Sequence, residues 1–126
     1  MAKTQSVATQ LNTILNQYDE KLEKVTNDAM KSVSKESVQK LKNTSPVKTG
    51  SYAKGWGTKT QRERNGLYTI TVHNKTDYQL THLLENGHVV RNKSGVYGRA
   101  PAKVHIKPVE DFAINEFPAE VERGML

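Results

Sequence analysis

Apolar side chains recur along the first third of the chain at the spacing of one helix face. Val7, Leu11, Ile14, Tyr18, Leu22, Val25, Ala29 and Val33 follow one another at intervals of three or four positions. At about 100° per residue they share a single arc, with Leu15 at its edge. The opposite face carries Asn, Gln, Lys, Glu and Asp, as a solvated face should. No Gly or Pro interrupts residues 1–45. Beyond Val33 the apolar positions shift, because Val38 and Leu41 point elsewhere; either the helix bends near Ser34 and Ser37, or the surface it packs on turns. Pro46 ends the helix, since the residue before proline disfavours α geometry. A helix over about 4–43 is roughly 60 Å long. That exceeds the diameter of a 126-residue globule, so part of it projects or packs on another chain.

The middle of the chain reads differently. Pro46, Gly50, Gly55 and Gly57 make residues 46–57 turn-rich. Strand character begins at Trp56, with Thr58 and Thr60 following at period two, and Asn65-Gly66 marks a hairpin turn. In the next run, 67–73, Tyr68, Ile70 and Val72 share a face. This predicts an antiparallel hairpin whose apolar side lies on the long helix. A short helix over 78–85 is stopped by Asn86-Gly87. Residues 88–103 read as a long basic loop with a short β-excursion at Val89-Val90. Val104, His105 and Ile106 could form a third strand. A last helix is expected over 109–117, opened by Pro108, with Glu110 and Asp111 in its first turn. Pro118 ends it, and residues 119–126 fray. The fold class is α+β, a long N-terminal helix packed on a small antiparallel sheet, with a short helix, an extended basic loop and a C-terminal helix. All 126 residues form one domain, in three stretches of 1–45, 46–107 and 108–126.

Composition changes this picture in two ways. Only 35% of residues are hydrophobic and 6% aromatic, against about 45–50% apolar in ordinary domains. The core is therefore thin, or another subunit completes it. Charge is also unevenly spread. Lys and Arg stand to Asp and Glu as seven to five in 1–45, eleven to three in 46–107, and one to five in 108–126. A basic middle followed by an acidic end suits a polyanion, or self-association in which acidic ends meet basic middles. With no Cys, disulfides, a thiol nucleophile and Cys-ligated zinc are excluded. No apolar run approaches the length of a membrane span, and the opening MAKTQSVATQ has no hydrophobic signal core. No membrane partner is expected.

Candidate chemistry is sparse. His82, Glu85 and His88 are spaced like metal ligands, but positions 82 and 88 lie about 120° apart on a helix, and Gly87 breaks it between them. No metal or cofactor is expected. There is no nucleophile elbow, no marked carboxylate pair, and no phosphate loop among the glycines, so no enzyme is expected. The basic residues are the better candidates for contact with a partner or DNA. Lys54, Lys59, Arg62 and Arg64 sit on or beside the hairpin, and Arg91, Lys93, Arg99 and Lys103 in the long loop. Tyr52, Trp56 and Tyr97 are interleaved with them, which suits base stacking; a solvated face with Trp56 in the core explains the same pattern. No recognised nucleic-acid motif is present. Leu11, Tyr18, Leu22 and Val25 are candidates for a core or subunit contact.

Pro46-Val47-Lys48-Thr49-Gly50-Ser51-Tyr52, behind a long amphipathic helix, resembles the P-x-x-T-G-x-L motif of the tail-completion, or head–tail joining, proteins of long-tailed phages. The run from Tyr78 through Glu85 and Gly87 to His88 resembles that family's Tyr…Glu-x-Gly-Thr segment. His105-Ile106-Lys107-Pro108 resembles its closing segment. Tyr52 stands where Leu is usual, and Asn86 and His88 replace an aromatic and a Thr. The resemblance marks Pro46, Thr49, Gly50, Tyr78, Glu85, Gly87 and Pro108 as structural positions. It implies a virion protein made in the host bacterial cytoplasm and built as a ring, a hexamer, in the neck. Its partners would be its own copies, the head connector or stopper, the tail terminator, and double-stranded DNA passing through without sequence preference. The alternative reading is a small basic nucleic-acid-binding protein acting alone.

Overall fold

A computed structural model describes residues 6–46, 50–92 and 95–126, with 88–100 as backbone only. Helix α1 spans Val7–Thr44, α2 Ser51–Lys54, strand β1 Trp56–Arg62 and β2 Tyr68–Asn74. A 3₁₀ turn at Tyr78–Leu80 leads into α3, Thr81–Asn86. Strands β3, His88–Asn92, and β4, Gly95–Ala100, precede α4, Ile106–Met125. The two antiparallel hairpins form separate two-stranded sheets. The architecture is α+β, as the hydrophobic pattern predicts.

Helix α1 begins at Val7, where the apolar stripe begins, and Ser6 caps it, its Oγ accepting from Thr9 N at 3.1 Å. No break occurs at Ser34 or Ser37. Burial instead moves round the helix, from Ala29 and Val33 to Ser37 and Leu41, as the packing surface turns. Ser37 is accommodated there by donating to Val33 O at 2.7 Å. The buried cluster is small: Leu41, Tyr52, Trp56 and Val109, flanked by Val38, Val72, Leu84 and Ile106. Trp56 Nε1 donates to Ser45 Oγ at 2.7 Å, and the Ser45 hydroxyl donates to Leu41 O, so the C-cap of α1 and the start of β1 are tied together.

The first hairpin runs in register from Trp56 opposite Asn74 to Arg62 opposite Tyr68. Its turn is a three-residue loop: Glu63 N donates to Leu67 O and Gly66 N to Glu63 O. Asn65 keeps a negative φ, and Gly66 alone takes the left-handed conformation, at φ 86°. The turn sits directly on α1. Asn27 donates from Nδ2 to Gly66 O at 3.0 Å and accepts from Tyr68 N at 2.9 Å. A Cβ at Gly66 would lie 2.5 Å from the Glu23 carboxylate. Asn27 belongs to the helix face that the sequence marks as solvated, yet it is buried. Removing its side chain leaves a donor and an acceptor unpaired. Asn27→Ala is therefore expected to cost about 1–3 kcal/mol of stability in urea unfolding, and Asn27→Asp, which keeps the acceptor, less.

Three expectations are corrected at the C-terminal end. First, no third strand forms at 104–106: His105 is the N-cap of α4, and Ile106 its first residue. Second, Glu110 and Asp111 fall in the second turn, since α4 starts earlier than Val109. Third, Pro118 does not end the helix, and 119–125 do not fray. The missing N–H leaves the Ile114 carbonyl without its helical donor, but Ile114 and Pro118 are exposed, so water can reach it. The other side of α4 is held along α1, antiparallel to it. Lys40 lies over the Phe112 ring at 4.5 Å, Ser32 Oγ donates to Glu120 at 3.3 Å, and a Cβ on Gly124 would lie 2.5 Å from Val25. That packing outweighs the proline. The expected loop 88–103 is also mostly strand: β3 pairs with β4, with a register shift between Val90 and Arg91.

Candidate functional site

The apolar stripe of α1 is split in two by the structure. Leu22 and Val25 are half-buried, whereas every residue from Ser6 to Lys21 is exposed. Val7, Leu11, Ile14, Leu15 and Tyr18 are each more than half exposed. The N-terminal half of α1 thus projects as an arm. Positions 4–18 are also the longest run of this sequence without a charged residue. A helix gains most of its stability by burying an apolar face, and the described part of this stretch, 6–18, has neither a buried face nor charged side chains to pair. The arm can bury that face only against another surface.

A second cluster sits at the junction of α2, α3 and α4. The Glu85 carboxylate accepts from three consecutive backbone N–H groups, His105 at 2.8 Å, Ile106 at 2.9 Å and Lys107 at 2.9 Å. It supplies to α4 the N-terminal carboxylate that the helix lacks in its own first turn. Burial pushes the Glu85 pKa up, but the three N–H bonds and the adjacent His105 outweigh it and hold the carboxyl below the usual carboxylate range. His105 is buried, with Nδ1 2.6 Å from Lys103 O and Nε2 2.7 Å from the Tyr52 hydroxyl. A carbonyl can only accept, so Nδ1 donates to Lys103 O, and Nε2 shares a hydrogen bond with the Tyr52 hydroxyl. Burial, and secondarily the Glu85 charge, pushes the Tyr52 hydroxyl up to about 12, so it keeps its proton. With both ring nitrogens engaged and the ring enclosed, this Glu–His–Tyr cluster acts as a lock between helices.

The remaining marked residues are placed as follows. Gly50 has φ 87° and Gly87 φ 76°, left-handed values that favour glycine at the entry to α2 and the exit of α3. Thr49 lies outside the described residues. Pro46 follows the C-cap of α1, and Pro108 sits in the first turn of α4, where its missing N–H costs nothing. Tyr78 is exposed. Lys54, Lys59, Arg62, Arg64 and Lys103 are all exposed. Arg62 is partly committed to packing, 3.7 Å from Glu23 and over the Tyr68 ring. Arg91 and Arg99 lie on β3 and β4; Lys93 falls outside the described residues. Base stacking by Tyr52 and Trp56 is overturned, because both rings are buried, 5.6 Å apart and edge to face. Among the described residues no group of His, Asp and Glu is arranged to hold a metal ion, and no helix is long and apolar enough to cross a membrane.

A family model described as "Bacteriophage HK97-gp10, putative tail-component" matches residues 7–87. Comparison with curated proteins and with solved structures gives no match. The matched stretch runs from the arm through Gly87, so it contains Pro46, Thr49, Gly50, Tyr78 and Glu85. The β3–β4 hairpin and α4 lie beyond it.

Proposed function

The chain belongs to the HK97-gp10-like family of phage tail components, and from that premise we propose that it is a neck protein, completing the tail or joining it to the head. In this reading copies of the chain form a ring, a hexamer, between the head connector or stopper and the tail terminator, and DNA passes through it. The chain is made in the host cytoplasm and ends in the virion.

The observation that carries this reading is the exposed, uncharged arm of α1, an apolar surface that a self-sufficient monomer would have buried. Neighbouring copies bury it, together with open edges of the two hairpins. In this reading the basic residues Lys54, Lys59, Arg62, Arg64, Arg91, Lys93, Arg99 and Lys103 contact DNA or an adjoining ring. Phosphate attraction is sequence-independent and salt-dependent, which suits a passage that must not grip one sequence.

A DNA titration at two salt concentrations, run beside light scattering, tests this against a lone DNA-binding protein. The neck reading predicts concentration-dependent assembly and negligible DNA affinity of the free subunit. Tight binding by the monomer with a steep salt slope contradicts it. Mass spectrometry of purified virions should find the chain; its absence there contradicts the virion assignment.

A further inference from the structure

The two hairpins differ in what surrounds them. The first lies along α1, where Asn27 holds its turn and Arg62 sits beside Glu23. The second stands apart. Among the described residues β3 and β4 pair with each other, and neither makes a substantial contact with another element. Its base is nevertheless fixed. Lys103 N donates to Leu84 O at 2.7 Å, and Glu85 holds the start of α4. The chain that leaves at the end of α3 therefore returns to the same place, and the hairpin is a finger on an anchored stem. A two-stranded hairpin by itself is at best marginally stable in water. This one gains a packing surface only by meeting another molecule.

Its charge suits a polyanion. From Asn86 to Val109 the chain has five cations, Arg91, Lys93, Arg99, Lys103 and Lys107, and neither Asp nor Glu. Lys107 pairs with Asp111; the other four have no carboxylate within their own segment to balance them. The first hairpin is different, since Glu63 stands at its turn and Arg62 is shared with Glu23 and the Tyr68 ring. Size agrees with charge. The ribbon is two strands wide and five or six residues long, and the major groove of DNA, about 12 Å across, admits a two-stranded ribbon. We propose that the β3–β4 hairpin is the element that touches double-stranded DNA, lying in its groove and contacting phosphates rather than reading bases. This deepens the neck reading and rests on it, by naming which basic element meets the DNA. So few phosphate contacts are weak in one copy and add up only when several copies surround the same duplex.

The native chain has no Cys, so a single cysteine can carry a photoactivated cross-linker. Ser94→Cys falls between β3 and β4 in sequence, and Gln61→Cys lies exposed on the first hairpin. Each full-length variant is mixed with a short duplex at low salt, where weak contacts are captured whatever the oligomeric state. Position 94 should cross-link to DNA well above position 61. The yield should fall as salt rises and be equal for a second duplex of unrelated sequence. Adding Arg91→Gln and Arg99→Gln to Ser94→Cys should cut the yield by about tenfold while the urea midpoint stays that of the native chain, because the hairpin packs on nothing else. Equal yields from positions 94 and 61, no cross-link from 94, or a yield that survives loss of both arginines each overturns the proposal. A yield that depends on the duplex sequence overturns contact through phosphates. Failure of the neck reading is separate: it appears as absence of the chain from virions, whatever the cross-linking shows.

Discussion

Trp56→Ala is expected to lower the unfolding free energy by about 3–5 kcal/mol, a large part of the roughly 5–15 kcal/mol that a domain possesses. The buried cluster has four members among the described residues, and Trp56 touches each side of it. Its ring meets Tyr52 edge to face at 5.6 Å and His105 at 6.4 Å, and its Nε1 bonds the hydroxyl that closes α1. Truncation opens a cavity among these groups and removes the donor from Ser45. Trp56→Phe keeps a ring but not the donor, and should cost about 1–2 kcal/mol less than Ala does. Urea unfolding followed by circular dichroism measures both, since the substitution removes the sole Trp of the chain. An alanine variant with the native midpoint contradicts the core as described.

Glu85→Ala should be nearly as damaging, at about 3 kcal/mol, because three N–H groups of α4 lose their acceptor together. Its pH dependence separates a charged cap from mere packing. The folded pKa of Glu85 is depressed below the ordinary value of a free glutamate. Its contribution is therefore fully present above the unfolded pKa and is lost as pH falls through the folded one. The native chain should lose stability on acidification across and below about pH 4. Glu85→Gln should start less stable at neutral pH and show a shallower acid limb, the difference between the two chains shrinking as pH falls. A variant that differs from the native chain by a constant amount at every pH contradicts the charged cap.

Local periodicity made much of this fold readable. The α1 stripe, the β1–β2 pair and the stop at Gly87 are set by residues within a few positions of one another. The same pattern also required part of α1 to project, which the exposed arm satisfies. What escaped was decided by distant partners. Asn27 looks solvated on its own helix and is buried only because the Gly66 turn lands on it. Pro108 and Pro118 read as the limits of α4, yet the helix starts at Ile106, packing on α1 carries it past Pro118, and Glu85, twenty residues before His105, caps its start. At the candidate surface, the cations of the first hairpin that charge arithmetic singles out are exposed, which suits both a solvated face and a contact surface. Composition alone could not show that Tyr52 and Trp56 are buried among the core side chains.

Hydrogen exchange of the isolated chain at low concentration, compared with the same chain in assembled necks, tests the central claim most directly: the arm of α1 is finished only by a neighbour. Residues 7–18 should exchange fast in the free chain and become strongly protected in the neck, while amides near Val33 and Leu41 are protected in both. Equal protection of the arm in the two states would contradict it.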